Sequence, residues 1–201
     1  MAPIRKHILM LLLAASWLPS LAQGQNDSVF NAGRLSAFRL TAVAPRASLH
    51  LPAAAAGKLR LFIFLSPECP LSQNYTSVLN NLDGTYAGEL QMVGIIPGKT
   101  YRQSEVDSFI KKYKITYPLF IDPSLDLSHY LKASVTPEAI LLDTENHLVY
   151  KGAIDNWYKT LGRPGARATE HYLRDAIEAN SRHQQPTIKR TTAVGCLIND
   201  F

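Results

Sequence analysis

The stretch Leu61-Phe62-Ile63-Phe64-Leu65-Ser66-Pro67-Glu68-Cys69-Pro70-Leu71-Ser72 decides how this chain is read. From Leu59 to Leu65 the residues are almost all apolar, which predicts a strand covered on both faces of a sheet. Beyond it, Tyr75, Val78, Leu79, Leu82 and Tyr86 recur at spacings of three and four, which predicts a helix over Ser72 to Ala87. Cys69 stands at the junction. A helix start leaves backbone N–H groups unpaired and carries the positive end of the helix dipole, and both favour a thiolate over a thiol. The thiolate is the nucleophilic form. Pro70 suits a first helical turn and Pro67 keeps the approach extended, whereas the carboxylate of Glu68 opposes ionisation. At Ser72, where a dithiol site would carry its second cysteine, there is only a hydroxyl.

Outward from this junction the pattern alternates. Leu35 to Val43 is expected as a first strand and Pro45 to Gly57 as a loop with an alanine tract. Leu90 to Ile96 is a second buried strand, Gln103 to Tyr113 an amphipathic helix, and Tyr117 to Ile121 a short extended piece. Leu125 to Leu131 is a short helix, and Ala139 to Leu142 with His147 to Ile154 forms a hairpin around Asp143-Thr144-Glu145-Asn146. Thr169 to Asn180 is the last helix. This order implies one α/β domain over residues 35–180, with a mixed sheet that is parallel in its first half and closed by a hairpin. Residues 181–201 form a polar tail that turns apolar at Ala193-Val194-Gly195-Cys196-Leu197-Ile198.

Residues 1–22 have the layout of an export signal: Arg5 and Lys6, an apolar core, and Ser20-Leu21-Ala22 as a cleavage site. Its apolar run is too short to span a bilayer, and residues 23–34 read as a flexible lead-in. The expected mature protein is exported, to a periplasm or outside the cell, with no stable membrane span. The chain has 201 residues, 46% of them hydrophobic, and a formal charge of +5. Its basic residues are dispersed, without the stripe that nucleic-acid binding needs.

Val135-Thr136-Pro137-Glu138 is the second marker. A proline directly before a central strand donates nothing to the ladder. A cis peptide that lays the preceding backbone beside a reactive thiol is a reason to keep it there.

Together these segments resemble the thioredoxin superfamily, and within it the redoxin (alkyl hydroperoxide reductase/thiol-specific antioxidant-like) branch. One exported subgroup of that branch has a Cys-Pro-x-(Cys/Ser)-x-x-Tyr motif, matched here by Cys69-Pro70-Leu71-Ser72-Gln73-Asn74-Tyr75. Its Thr-Pro-Glu loop, Tyr-x-Gly-x-Ile-Asp strand end and Gly-Cys are matched by Thr136-Pro137-Glu138, Tyr150 to Asp155 and Gly195-Cys196. The resemblance implies a three-layer α/β thioredoxin-like fold with a central mixed sheet and flanking helices. It implies a thiol oxidoreductase or antioxidant activity on protein disulfides, thiol reductants or peroxides, without a cofactor. Cys69 is the expected attacking thiol. Pro70, Ser72, Tyr75, Thr136 and Pro137 are expected around it. A typical peroxiredoxin site has a serine or threonine three residues before its cysteine, matched by Ser66. It also has a proline seven residues before, where Phe62 stands here.

Ser72 cannot resolve a mixed disulfide, and Cys196 is the one other cysteine. The tail is expected to fold back and bring Cys196 to Cys69, as a resolving thiol or as a permanent staple. Two alternatives stay open. One is a copper site built from Cys69, Cys196 and His129, since thiolates suit Cu(I), although no histidine here has the spacing of a closed metal site. The other is a partner-binding face on the loop Asp155 to Arg167, which contains Trp157 and Tyr158.

Overall fold

The computed structural model describes residues 29–43 and 51–199. The expected export signal, the first part of the lead-in and part of the alanine-tract loop lie outside the described residues.

In chain order the elements are α1 (Ala32–Ala37), β1 (Thr41–Ala42), β2 (Leu59–Phe64), α2 (Pro70–Thr85), β3 (Leu90–Pro97), α3 (Gln103–Tyr113), β4 (Leu119–Asp122) and α4 (Asp126–Tyr130). They continue with β5 (Val135–Thr136), β6 (Glu138–Leu142), β7 (Leu148–Gly152), β8 (Tyr158–Thr160), β9 (Arg163–Pro164), α5 (Tyr172–Ser181) and β10 (Cys196–Leu197). Six strands form one sheet in the order β1-β4-β3-β2-β6-β7. β2, β3 and β4 run parallel, linked by α2 and α3, while β1, β6 and β7 join antiparallel. This is the mixed sheet the sequence predicts.

β2 is buried along its whole length, and its side chains alternate between two cores. Leu61, Ile63 and Leu65 face Tyr75, Leu79 and Leu82 of α2, Phe109 of α3 and Leu173 and Ile177 of α5. Phe62 and Phe64 face Leu35 of α1, Leu127 of α4 and Leu131 at the end of α4. Helices therefore cover both faces, which gives three layers.

The start of the chain differs from expectation. Leu35 to Val43 is not one strand: Ala32–Ala37 is helical, and only Thr41–Ala42 pairs with the sheet. Asn31 caps that helix, its side chain accepting from the Arg34 N–H at 2.8 Å. Leu35 and Phe38, read as members of an alternation, have the i,i+3 spacing of one helical face. Among the described residues no helix is long and apolar enough to cross a membrane.

Leu79 is fully buried and ties the helix that begins at Cys69 to the sheet. Leu79→Ala is expected to cost about 2–5 kcal/mol, read as a lower urea midpoint at unchanged slope.

Candidate functional site

Cys69 is the N-cap of α2, with an extended backbone (φ −73°, ψ 116°) and Pro70 as the first helical residue. β2 ends at Phe64, and the intervening turn closes with the Cys69 N–H on the Ser66 carbonyl at 3.1 Å. Ser72 is fully buried, and its hydroxyl accepts from the Ser66 N–H at 3.1 Å. The residue that stands in for a second thiol thus fastens the turn that presents the first.

The facing wall comes from the Thr136-Pro137 segment, whose peptide bond is cis, as the sequence suggests. The Cys69 thiol donates to the Thr136 carbonyl at 3.1 Å. Glu138, 4% exposed, holds this loop in place: its carboxylate accepts from the Ser134 N–H at 2.7 Å and pairs with Lys151 at 3.6 Å.

The tail arrives in two steps. Beside β7, the Lys151 N–H donates to the Lys189 carbonyl and the Thr191 N–H to the Lys151 carbonyl, both at 3.0 Å. The Thr191 hydroxyl accepts from the Ala153 N–H at 2.9 Å and meets the Tyr150 hydroxyl at 2.6 Å. Gly152 makes room here: a Cβ on it would lie 2.4 Å from the Thr191 carbonyl oxygen, and its φ of +144° suits no side chain. Farther on, β10 pairs antiparallel with β5, Cys196 opposite Thr136, and the Ile198 N–H reaches the Ser134 carbonyl at 3.0 Å. A Cβ on Gly195 would lie 2.2 Å from the Thr136 oxygen. The tail is seated by backbone pairing at two places that glycines keep open.

This seating puts the Cys196 sulfur 2.6 Å from that of Cys69, both thiols being free, Cys69 buried and Cys196 partly exposed. Burial opposes ionisation of Cys69. The thiol of Cys196 and the backbone of Ser72, Cys196 and Leu71 outweigh it by hydrogen bonding to the sulfur, so Cys69 ionises below its ordinary range. Cys196 moves the other way, pushed up to about 12 by burial, by its hydrogen bond to Cys69 and by the charge there. The pair favours one thiolate, on Cys69, with a thiol on Cys196 donating to it.

A cleft of about 350 Å³ opens at this pair, lined among others by Ser66, Glu68, Tyr101, Thr136, Leu197 and Asn199. Glu68 is exposed on its rim. Of the residues expected around the thiol, Thr136 lines the cleft. Pro70 starts the helix, Ser72 lies under the turn, and Pro137 carries the cis bond. Tyr75 is turned elsewhere: its hydroxyl donates to Asp155 at 2.5 Å, and its ring packs edge-on against Trp157. Burial and the neighbouring carboxylate push the Tyr75 phenol well above its ordinary range. The Trp157 N–H also binds Asp155, at 2.8 Å, so the loop after β7 is anchored to α2. The role of Asp155 in this anchor was invisible in the sequence, although the motif containing it was not. Tyr101 and Thr191 had no sequence signal.

His129 does not join the sulfurs. It lines a separate cleft with Arg34, Tyr130 and Lys132, and the described residues contain no group of three or more His, Cys, Asp or Glu that could hold a metal. The copper alternative therefore lacks its third ligand: α4 faces a different part of the surface.

No protein-family model matches the chain, and no curated protein sequence matches it. Solved structures do match. An uncharacterized conserved protein from Geobacillus kaustophilus aligns with a TM-score of 0.75 at 18% identity, over 88% of this chain and 94% of that one. A hypothetical protein from Sinorhizobium meliloti 1021 is 27% identical, with a TM-score of 0.63 over 71% and 79% of the two chains. A thioredoxin-like protein solved in its oxidized form aligns at 16% identity and a TM-score of 0.52, over 66% and 83%. The fold is thioredoxin-like. In this thioredoxin-like frame the cysteine at the start of α2 has its companion on the C-terminal tail.

Two measurements check the site. In an ultraviolet titration of the reduced protein, Cys69 is expected to ionise below the ordinary cysteine range and Cys196 near 12. Replacing Cys196 by Ala removes a donor that Ser keeps, so Cys69 should titrate higher in Cys196→Ala than in Cys196→Ser. In Gly195→Ala the Ile198 amide should lose hydrogen-exchange protection while the Thr191 amide, held beside β7, keeps it.

Proposed function

We propose that this protein is an exported thiol-disulfide oxidoreductase whose working pair is Cys69 and Cys196. The observation that carries this reading is the seating of Cys196 opposite Thr136 and against the Cys69 sulfur. The opposite displacement of the two thiols' acidities supports it, because exchange needs one sulfur ready as thiolate and the other as a held thiol. In the reaction, a thiolate attacks a disulfide sulfur, the displaced sulfur leaves as thiolate, and a second thiol closes the exchange. Two electrons and two protons pass from a dithiol to a disulfide. Extended protein segments with cysteines are the proposed partners.

Peroxide is the less favoured oxidant. The Ser66 hydroxyl, which a peroxidase site would aim at the sulfur, shares a 2.8 Å hydrogen bond with Tyr101 instead. Phe62, in the place of the peroxidase proline, is fully buried within β2. Export rests on Arg5, Lys6 and the apolar stretch before Ala22. An oxidising compartment suits a working disulfide.

The test is equilibration in glutathione buffers of graded ratio, acid quenching and non-reducing mass spectrometry. The expected result is a reversible loss of two hydrogens with Cys69 and Cys196 peptides linked, abolished in Cys69→Ser and in Cys196→Ser. Hydrogen peroxide should oxidise the pair no faster than an ordinary cysteine. A pair that neither oxidises nor exchanges at any ratio sinks the reading.

A further inference from the structure

We infer that substrates exchange through the sulfur of Cys196, on the tail, while Cys69 is the buried sulfur that is expelled and returns. This rests on the oxidoreductase reading above and reverses the roles the sequence suggests, in which Cys69 attacks and Cys196 resolves.

A thiolate displaces a sulfur from a disulfide along the line of the breaking bond, from the side opposite the leaving sulfur. To strike Cys69 in a Cys69–Cys196 disulfide, a substrate must come from the side away from the tail. Cys69, at the junction of β2 and α2, is 2% exposed. To strike Cys196 it comes from the side away from Cys69. There the strand has solvent on its outer face: Cys196 is partly exposed, Asn199 is exposed, and Leu197 is 72% exposed. The cleft at the pair is lined by both cysteines, by Ser66, Glu68 and Tyr101 and by the tail residues Leu197 and Asn199. Of the two sulfurs, that of Cys196 belongs to the more exposed residue.

The leaving groups agree with this direction. Attack at Cys196 expels Cys69 as a thiolate, the charge that the first-turn amides of Leu71 and Ser72 stabilise. Attack at Cys69 would expel Cys196, whose ionisation burial opposes. The sulfur with the lower pKa leaves faster.

The steps balance. A substrate thiolate forms a bond to the Cys196 sulfur, the Cys69–Cys196 bond breaks, and its electron pair stays on Cys69. The substrate is then carried as a mixed disulfide on the tail. A second thiolate of the same substrate attacks the first substrate sulfur, and Cys196 leaves and takes up a proton. The substrate dithiol has become a disulfide, and the protein pair, which was the oxidant, is reduced. Exchange with a small disulfide such as glutathione disulfide restores the pair, and the same steps reversed reduce a substrate disulfide.

The experiment uses the full chain with its cysteines intact, oxidised by glutathione disulfide and freed of excess reagent. It is mixed with an unstructured peptide containing one cysteine and quenched at the earliest times with acid, before the two sites equilibrate. The freed thiol is then alkylated, and the mixed disulfide is mapped by peptide mass spectrometry. Peptide on Cys196 with the alkyl group on Cys69 is expected, in about tenfold or greater excess over the reverse pattern. The reverse pattern, or an even distribution at the earliest time, overturns the inference and leaves the oxidoreductase reading standing. If no internal disulfide forms at the oxidation step, that reading falls, and this inference falls with it.

Discussion

The antiparallel register of β2 against β6, with Phe64 opposite Glu138, is the constraint on which the site depends. It brings the chain that leaves β2 to the chain that enters β6, so Cys69 and Thr136 face each other across 67 positions of sequence. Register is strongly specified here because both faces of β2 are buried: a slip by one residue would send Phe62 and Phe64 into the core built for Leu61 and Ile63. The packing of a whole domain thus holds one sulfur near one carbonyl. The buried Glu138 carboxylate adds a local fastening through Ser134 and Lys151.

The tail extends this logic. It has little apolar surface of its own, so hydrophobic burial alone cannot seat it. Backbone hydrogen bonds seat it instead, first on the exposed edge of β7 and then on the two residues of β5. Such contacts need close approach, and Gly152 and Gly195 supply it where a single Cβ would collide with Thr191 or Thr136. The pair of sulfurs is therefore made by two separate dockings.

Ser72 changes its meaning in this setting. In sequence it marks a missing thiol; in the fold its hydroxyl holds the Ser66 amide and so fixes the turn below Cys69. Tyr75 likewise leaves the pocket where its motif suggests it belongs. Its hydroxyl and Asp155 instead tie α2 to the Trp157 loop, a contact between segments 80 residues apart.

Much of the fold was legible because its elements obey local rules. The continuous apolar run of β2, the three-and-four spacing of α2 and the breaker residues between strands are patterns that neighbouring residues impose. The short helix at Ala32–Ala37 was misread because Leu35, Phe38 and Leu40 satisfy two periodicities over so few residues. Local chemistry also placed Cys69 at a helix start and singled out Pro137. The sequence by itself determined an α/β frame, a cysteine poised to ionise and a second cysteine expected to fold back toward it. Only the tertiary structure decided how the second reaches the first, by β10 pairing with β5, that His129 does not join them, and that the buried sulfur is Cys69. Those outcomes follow from strand register and from backbone approach at two glycines, which depend on residues far apart in the chain and leave no periodic trace along it.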